Sequence, residues 1–385
     1  MVVAARKVCV RRRDVDSISE SSQGQSTRGR RAIVLLMSKV PLSACAGLKC
    51  LICLTLVLLR IPEASVAFAQ QGGEIQSWVA PRTSHGYPDI QGVWTNATMT
   101  PLERPADLAN QEFLSEGEVL EREGLARLRR EEQLVPGRTQ LQRLPEGSPI
   151  AGYNGAIWSA PRGIVSSRRT SMVVDPPDGR IPLRAEAESK RNYLIANRTD
   201  SYSNMSVYTR CITRGVPGSM IPNFYNDGNH ILQTEDYVAI IYEMIGEARL
   251  IPLNGRPAIS SGIGLWMGDS RGRWEGETLV IETTNFSGKG WITPNQNARR
   301  MLGVPVSRDL HVVERFTRVS EDVLEWRVTV DDPQVFTRPW TLELPLTRDP
   351  EYDLYEYACH EGNYSVANSL RGARVKESAA RNKEE

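Results

Sequence analysis

From His230 onward, apolar residues recur at every second position in short runs separated by turn residues. Leu324, Trp326, Val328 and Val330 alternate with Val323, Glu325, Arg327 and Thr329. In the next run Leu342, Leu344 and Leu346 alternate with Thr341, Glu343 and Pro345. A period of two sends successive side chains to opposite faces of a strand, so the apolar set enters a core. Further strands are expected at Ile231–Thr234, Tyr237–Met244, Ala248–Leu253, Gly272–Trp274, Thr278–Asn285, Leu310–Arg318 and Tyr352–Cys359. Glu275-Gly276-Glu277 and Val319–Asp322 read as hairpin turns. No helical pattern intervenes. The pattern predicts a mainly β fold, an antiparallel meander over residues 206–372 closing as a calycin- or lipocalin-like barrel. Closure removes the exposed edges that invite aggregation.

The preceding part, residues 86–205, reads as an irregular, partly helical region packing on the barrel. Pro88–Trp94 is a turn feeding a short strand. Leu114–Glu132 carries a helical pattern opened by a capping box, Ser115 and Glu118. Val135–Gly155 is rich in Pro and Gly and reads as an extended loop. Met172-Val173-Val174 runs into a turn at Asp175–Arg180, and Leu183–Ala196 predicts a second helix. Residues 70–85 read as a polar linker and residues 373–385 as a disordered tail.

An apolar stretch at Leu51–Leu59 follows Lys39 and Lys49 and precedes Ala67-Phe68-Ala69. That order predicts a secretory signal peptide over residues 37–69, cleaved near Ala69, and a periplasmic or secreted protein. The stretch is about half the ~20 apolar residues of a membrane span, so no stable span is expected after cleavage. Residues 1–36 resemble nothing foldable and suggest translation from Met37, a cytoplasmic extension being the alternative. Residues 1–69 hold 11 Lys+Arg and 4 Asp+Glu of the chain's 47 and 46; the remainder holds 36 and 42, a net charge of −6. A mildly acidic chain with no long basic run argues against a nucleic-acid partner. Cys211 and Cys359 are the two cysteines beyond the leader, and an oxidising compartment makes their disulfide the default pairing.

Metal-ligand spacings, a nucleophile elbow and a phosphate-cradling glycine loop are all missing from the sequence, and no metal or cofactor is expected. The densest polar cluster is Cys359-His360-Glu361-Gly362-Asn363-Tyr364. A histidine beside a carboxylate suits acid–base work or a sugar hydroxyl; the alternative is a corner pinned by the disulfide. Asn226-Asp227-Gly228-Asn229-His230 forms a second cluster, a turn entering a strand or a ligand-contacting loop. A Cys211–Cys359 bridge would bring Tyr225, Asp227, His230, His360 and Glu361 into one site. His360, Glu361 and His230 are the catalytic candidates; Tyr225, Asp227, Trp274 and Trp340 are the ligand-binding ones. Glu243, Glu282, Glu314, Glu325, Glu343 and Glu356 fall in expected strands, where paired carboxylates would suit glycoside hydrolysis and a solvated outer face is the plainer reading.

Several blocks occur together: Pro88–Trp94, Gly268–Gly276, Thr337-Arg338-Pro339-Trp340 and Tyr355–Tyr364. In them the chain resembles a family of uncharacterised secreted bacterial proteins, common in acidobacteria and related soil lineages. The resemblance implies compartment and source, and no activity. Three functions stay open: binding of a small molecule or glycan fragment; a hydrolase or lyase using His360 or His230 with a strand carboxylate; and a structural envelope protein. A pocket holding both histidines and a strand Glu would favour the enzyme. An aromatic-lined, carboxylate-free pocket would favour binding, and a solid apolar interior would sink both.

Overall fold

Ten strands form one antiparallel sheet, and its two ends meet without a backbone ladder between them. The computed structural model describes residues 78–134, 163–164, 167–223, 225–293, 296–348, 350 and 352–384. The leader and the Val135–Gly155 loop lie outside these. The described residues all belong to one unit, Glu74–Glu385.

The strands are β1 (Gly92–Thr95), β2 (Val173–Asp175), β3 (Gly228–Gln233), β4 (Tyr237–Tyr242), β5 (Glu247–Pro252), β6 (Asp269–Glu275), β7 (Thr278–Thr284), β8 (His311–Arg318), β9 (Val323–Asp331) and β10 (Trp340–Arg348). Their order is β5-β4-β3-β1-β10-β9-β8-β7-β6, with β2 on β10 off this path. Strand β10 carries β1 against Thr347 and Arg348 and β2 against Thr341 and Leu342. The barrel is therefore not confined to residues 206–372, because β1 and β2 come from the region expected to pack outside it.

Period-two alternation sets the register. Leu324, Trp326, Val328 and Val330 point inward and are fully buried, while Glu325 and Arg327 are exposed. Leu342, Leu344 and Leu346 meet them across the ladder from β10. Packed against Trp94, Ile231, Ile240 and Phe316, they fill the bore, so the barrel is solid. Trp340 belongs to this core, 1% exposed and edge-on to Phe336 at 5.7 Å. Its assignment as a ligand-stacking residue is corrected: alternation turns it inward, away from solvent. Trp274 lies partly buried, stacked on Tyr87 at 5.6 Å, where it serves packing in the same way.

The sheet nearly closes where β5 faces β6, and side chains bridge the seam. Gly272 lies under Leu253 and Ile251; a Cβ there would sit 2.6 and 2.9 Å from their methyl groups. Arg249 on β5 crosses over, donating through Nε to Ser270 Oγ (2.8 Å) and through Nη2 to Thr283 Oγ1 (2.9 Å). Its Nη2 also stands 2.5 Å from Glu314 Oε2 on β8, with both side chains buried. Trp326 Nε1 donates to Glu314 Oε1 (3.2 Å), and Arg249 Nη1 to the Tyr242 hydroxyl (3.4 Å). Burial opposes the Arg249 charge, but Glu314 and Tyr242 outweigh it and hold the guanidinium above its ordinary pKa.

Helix α1 (Glu116–Leu134) starts on the expected capping box: Ser115 Oγ accepts from the Glu118 N–H (3.3 Å), and Glu118 Oε2 accepts from the Ser115 N–H (2.8 Å). Helix α2 (Ala185–Ala196) buries Ala187, and Arg191 Nε donates to the Leu302 carbonyl (3.0 Å). Three expectations are corrected. Tyr352–Cys359 is not a strand; its polar groups turn to side-chain partners at the barrel end. Residues 373–384 continue a helix, α3 (Ser365–Glu384), whose Ala, Arg, Lys and Glu content favours helix. Residues 78–85 are not a free linker, since Trp78 lies over Arg318, Ala80 is buried and Arg82 bridges to Pro88. Among the described residues no helix is long and apolar enough to cross a membrane.

Candidate functional site

A loop and a tail segment are drawn together at one end of the barrel. The loop runs from Met205 to Gly228 and is organised around Arg214, which is buried and donates to the carbonyls of Ser219 (3.4 Å) and Ile221 (3.0 Å). Burial pulls the Arg214 pKa down, opposed by the charges of Asp227 and Glu247. Thr213 Oγ1 donates to Glu247 Oε2 (2.9 Å), anchoring the loop to β5. Asp227 receives the Asn223 N–H on Oδ1 (2.9 Å) and folds the end of the loop.

The tail segment, residues 352–364, is held by Glu243 at the end of β4. Its carboxylate accepts from the Tyr352 hydroxyl (2.7 and 2.8 Å), the Tyr355 N–H (3.3 Å), Asn226 Nδ2 (2.8 Å) and the Gly228 N–H (3.1 Å). A side chain at position 228 would crowd this carboxylate, since a Cβ there would lie 2.8 Å from Glu243 Oε2. Asn226 adopts a φ of 53°, the left-handed turn that asparagine tolerates. The Asn226–His230 cluster is thus a turn built to receive Glu243.

A disulfide joins Cys211 to Cys359 and fastens loop to tail. Asn363 Nδ2 adds a bond to the Thr209 carbonyl (3.0 Å). Between the two segments lies an open cleft of about 510 Å³. Tyr208, Tyr225 and Tyr357 line it, their hydroxyls meeting at 3.1 Å (208–357), 3.2 Å (208–225) and 3.5 Å (225–357). Glu356, Glu361 and Asn363 complete the wall. Burial, reinforced by hydrogen bonds from the other two phenols, pushes the Tyr208 pKa well up; burial raises that of Tyr225. Tyr208 and Tyr225 therefore remain neutral hydrogen-bonding groups in the physiological range.

Tyr225 and Glu361, two of the five residues expected to converge, do so. Asp227 is spent on its own loop. His230 sits on β3, registered against Val93 and Ile241, with its side chain turned out from the core. His360 is exposed on the turn after Cys359 and does not line the cleft. Among the described residues, no hydrogen bond joins either imidazole to a carboxylate. The histidine–carboxylate arrangement is corrected: one-residue alternation in β3 turns His230 to the outer face, and the 358–362 turn throws His360 outward. Tyr208 and Tyr357 are the cleft residues that sequence reasoning missed. Tyr357 lies two residues before Cys359 and Tyr208 three before Cys211, so the expected disulfide was the signal that could have found both.

The strand carboxylates scatter. Glu282 pairs with Arg273 at 2.6 Å on the outer face, and Glu314 is locked in the barrel. Glu325 and Glu343 share a second cleft of about 230 Å³ outside β8–β10, with Arg315 and Arg327. Arg327 pairs with Glu343, and Arg169 stands 3.7 Å from it. Burial, then the Glu343 charge, raises the Glu325 pKa. Among the described residues, no group of His, Cys, Asp and Glu is placed to hold a metal ion. Comparison with protein-family models, curated proteins and solved structures finds no match to this chain.

Proposed function

We propose that this is an exported protein that binds a small molecule or glycan fragment in the tyrosine-lined cleft. One observation carries the reading: three phenolic hydroxyls meet within 3.5 Å of one another on a cleft that contains no histidine, and that differs from the carboxylate-free pocket expected for binding in having Glu356 and Glu361 in its wall. Aromatic rings with polar tips, fixed on a rigid scaffold, are a common way of holding a small polar ligand. The filled barrel runs against an interior site for ligand or substrate, so the reading rests on the outer cleft alone. Export rests on the leader pattern, and a disulfide 148 residues apart suits an oxidising compartment.

A thermal-shift screen of the purified protein against sugars, amines and aromatic acids tests the reading. A ligand at 100 times its Kd adds about 2.7 kcal/mol to native stability. The shift should disappear in Tyr357→Ala and shrink in Tyr225→Phe. A library without a single stabilising compound, or shifts indifferent to both substitutions, defeats it.

A second reading, hydrolysis, draws on the outer cleft. Burial and the Glu343 charge raise the Glu325 pKa, and Glu343 lies beside Arg327 and Arg169, so the two carboxylates sit in unlike surroundings. Turnover of a glycoside panel that vanishes in both Glu325→Gln and Glu343→Gln would favour this reading.

A further inference from the structure

We infer that the ligand of the tyrosine cleft is an organic cation, a molecule bearing an ammonium or guanidinium group; this rests on the binding reading above. The argument is an inventory of donors and acceptors. None of the residues lining the cleft is Lys, Arg or His. Glu356 and Glu361 both line it and are exposed, and among the described residues neither carboxylate makes a hydrogen bond or ion pair. An ionised carboxylate only accepts, so these two groups offer four acceptor oxygens and no donor.

Of the remaining lining groups, the phenols and Asn363 are committed as donors, while the hydroxyls of Thr209 and Ser365 can donate or accept. The three phenols have one hydroxyl hydrogen each and make three contacts among themselves, with the Met244 sulfur a further acceptor 3.5 Å from Tyr208. What they present outward is lone pairs. Asn363 is used on both sides: Nδ2 donates to the Thr209 carbonyl (3.0 Å), and Oδ1 accepts from the Ser365 N–H (3.1 Å). An acceptor-rich, negatively charged cleft beside aromatic rings suits a donor-only, positively charged partner.

Two features of opposite sign are weaker. Arg214 lies behind the tyrosines, but it is fully buried and turned to the carbonyls of Ser219 and Ile221. Helix α3 begins at the cleft, and its first N–H is already met by Asn363. About half a charge at a helix start does not balance two carboxylates.

A matched pair of glycans separates the charge from the rest of the ligand. Calorimetric titration at about pH 6, where amines are protonated and carboxylates ionised, would use neutral chitobiose, its deacetylated diamine and spermidine. The diamine and spermidine should bind, the neutral sugar about tenfold more weakly or not at all. Glu356→Gln with Glu361→Gln should weaken the cations about tenfold, as two exposed ion pairs predict. Raised salt should act in the same direction. Both substitutions are on the surface, and an unchanged melting temperature confirms the fold. If the neutral sugar binds as tightly as the diamine, and Tyr357→Ala abolishes both, the cation inference fails and the binding reading stands. If none of the three binds and the wider screen is also silent, both fail.

Discussion

Replacing Arg249 with methionine removes a charged side chain that spans the β5–β6 seam. The guanidinium and the Glu314 carboxylate stand 2.5 Å apart with side chains 4% and 1% exposed. Methionine would fill much of the space and leave Glu314 buried without its ion-pair partner. Ser270 and Thr283 would each lose a donor at under 3 Å. Removing one partner of a buried ion pair costs about 3–5 kcal/mol, a large part of the ~5–15 kcal/mol that separates native from unfolded proteins. The second substitution, Glu314→Gln, identifies the cause. Glutamine keeps an acceptor for Trp326 Nε1 and carries no charge, so Arg249→Met with Glu314→Gln should recover about 2 kcal/mol of the loss. Equilibrium urea unfolding of wild type, both single variants and the double variant measures this coupling. Hydrogen exchange should show β5 and β6 losing protection before the β8–β10 ladder. An Arg249→Met variant within about 1 kcal/mol of wild type would refute the view that this pair holds the seam, as would a double variant as unstable as the sum of the singles.

Reducing the Cys211–Cys359 bridge, or replacing both cysteines with alanine, should cost several kcal/mol, up to about 5 from loop closure over 148 residues, read as a lower melting temperature under reductant. Glu243→Ala should free the tail segment at Tyr352 and Tyr355; faster proteolysis and amide exchange in residues 352–363 with the barrel core still protected would show it. Glu118 is held at a pKa of about 2, against an ordinary 4.5, chiefly by the Ser115 N–H and then its hydroxyl. A depressed folded-state pKa means that the cap is fully stabilising above about pH 4.5 and is lost as pH falls toward 2. Helicity of α1 should follow that window, and Ser115→Ala should return the Glu118 titration toward 4.5 by NMR.

Much of the sheet was legible because alternation is a local property. Val323–Val330 and Trp340–Leu346 carried their faces in the sequence, and β3–β10 fall within a few residues of their expected places. The Ser115–Glu118 cap was equally local. Strand β2 was harder, since three residues, Val173–Asp175, are too few to show a period. Tyr352–Cys359 has strand-forming residues, but partners more than 100 positions earlier, Glu243 for the Tyr355 N–H and Cys211 for Cys359, hold it in place away from the ladder. The tail helix was missed because a polar, charged sequence was taken as a sign of disorder when its intrinsic helix propensity is high.

By itself the sequence determined the β architecture and pointed to the Cys211–Cys359 bridge, near which Tyr225 and Glu361 meet. These follow from neighbours in the chain or from elimination between few partners. Tertiary structure decided which polar groups meet. It buried Arg249 against Glu314 from strands 65 residues apart, joined Tyr208 to Tyr357, and sent His230 and His360 away from the carboxylates. Those outcomes depend on register and loop geometry across the barrel, where a shift of one residue exchanges inside for outside.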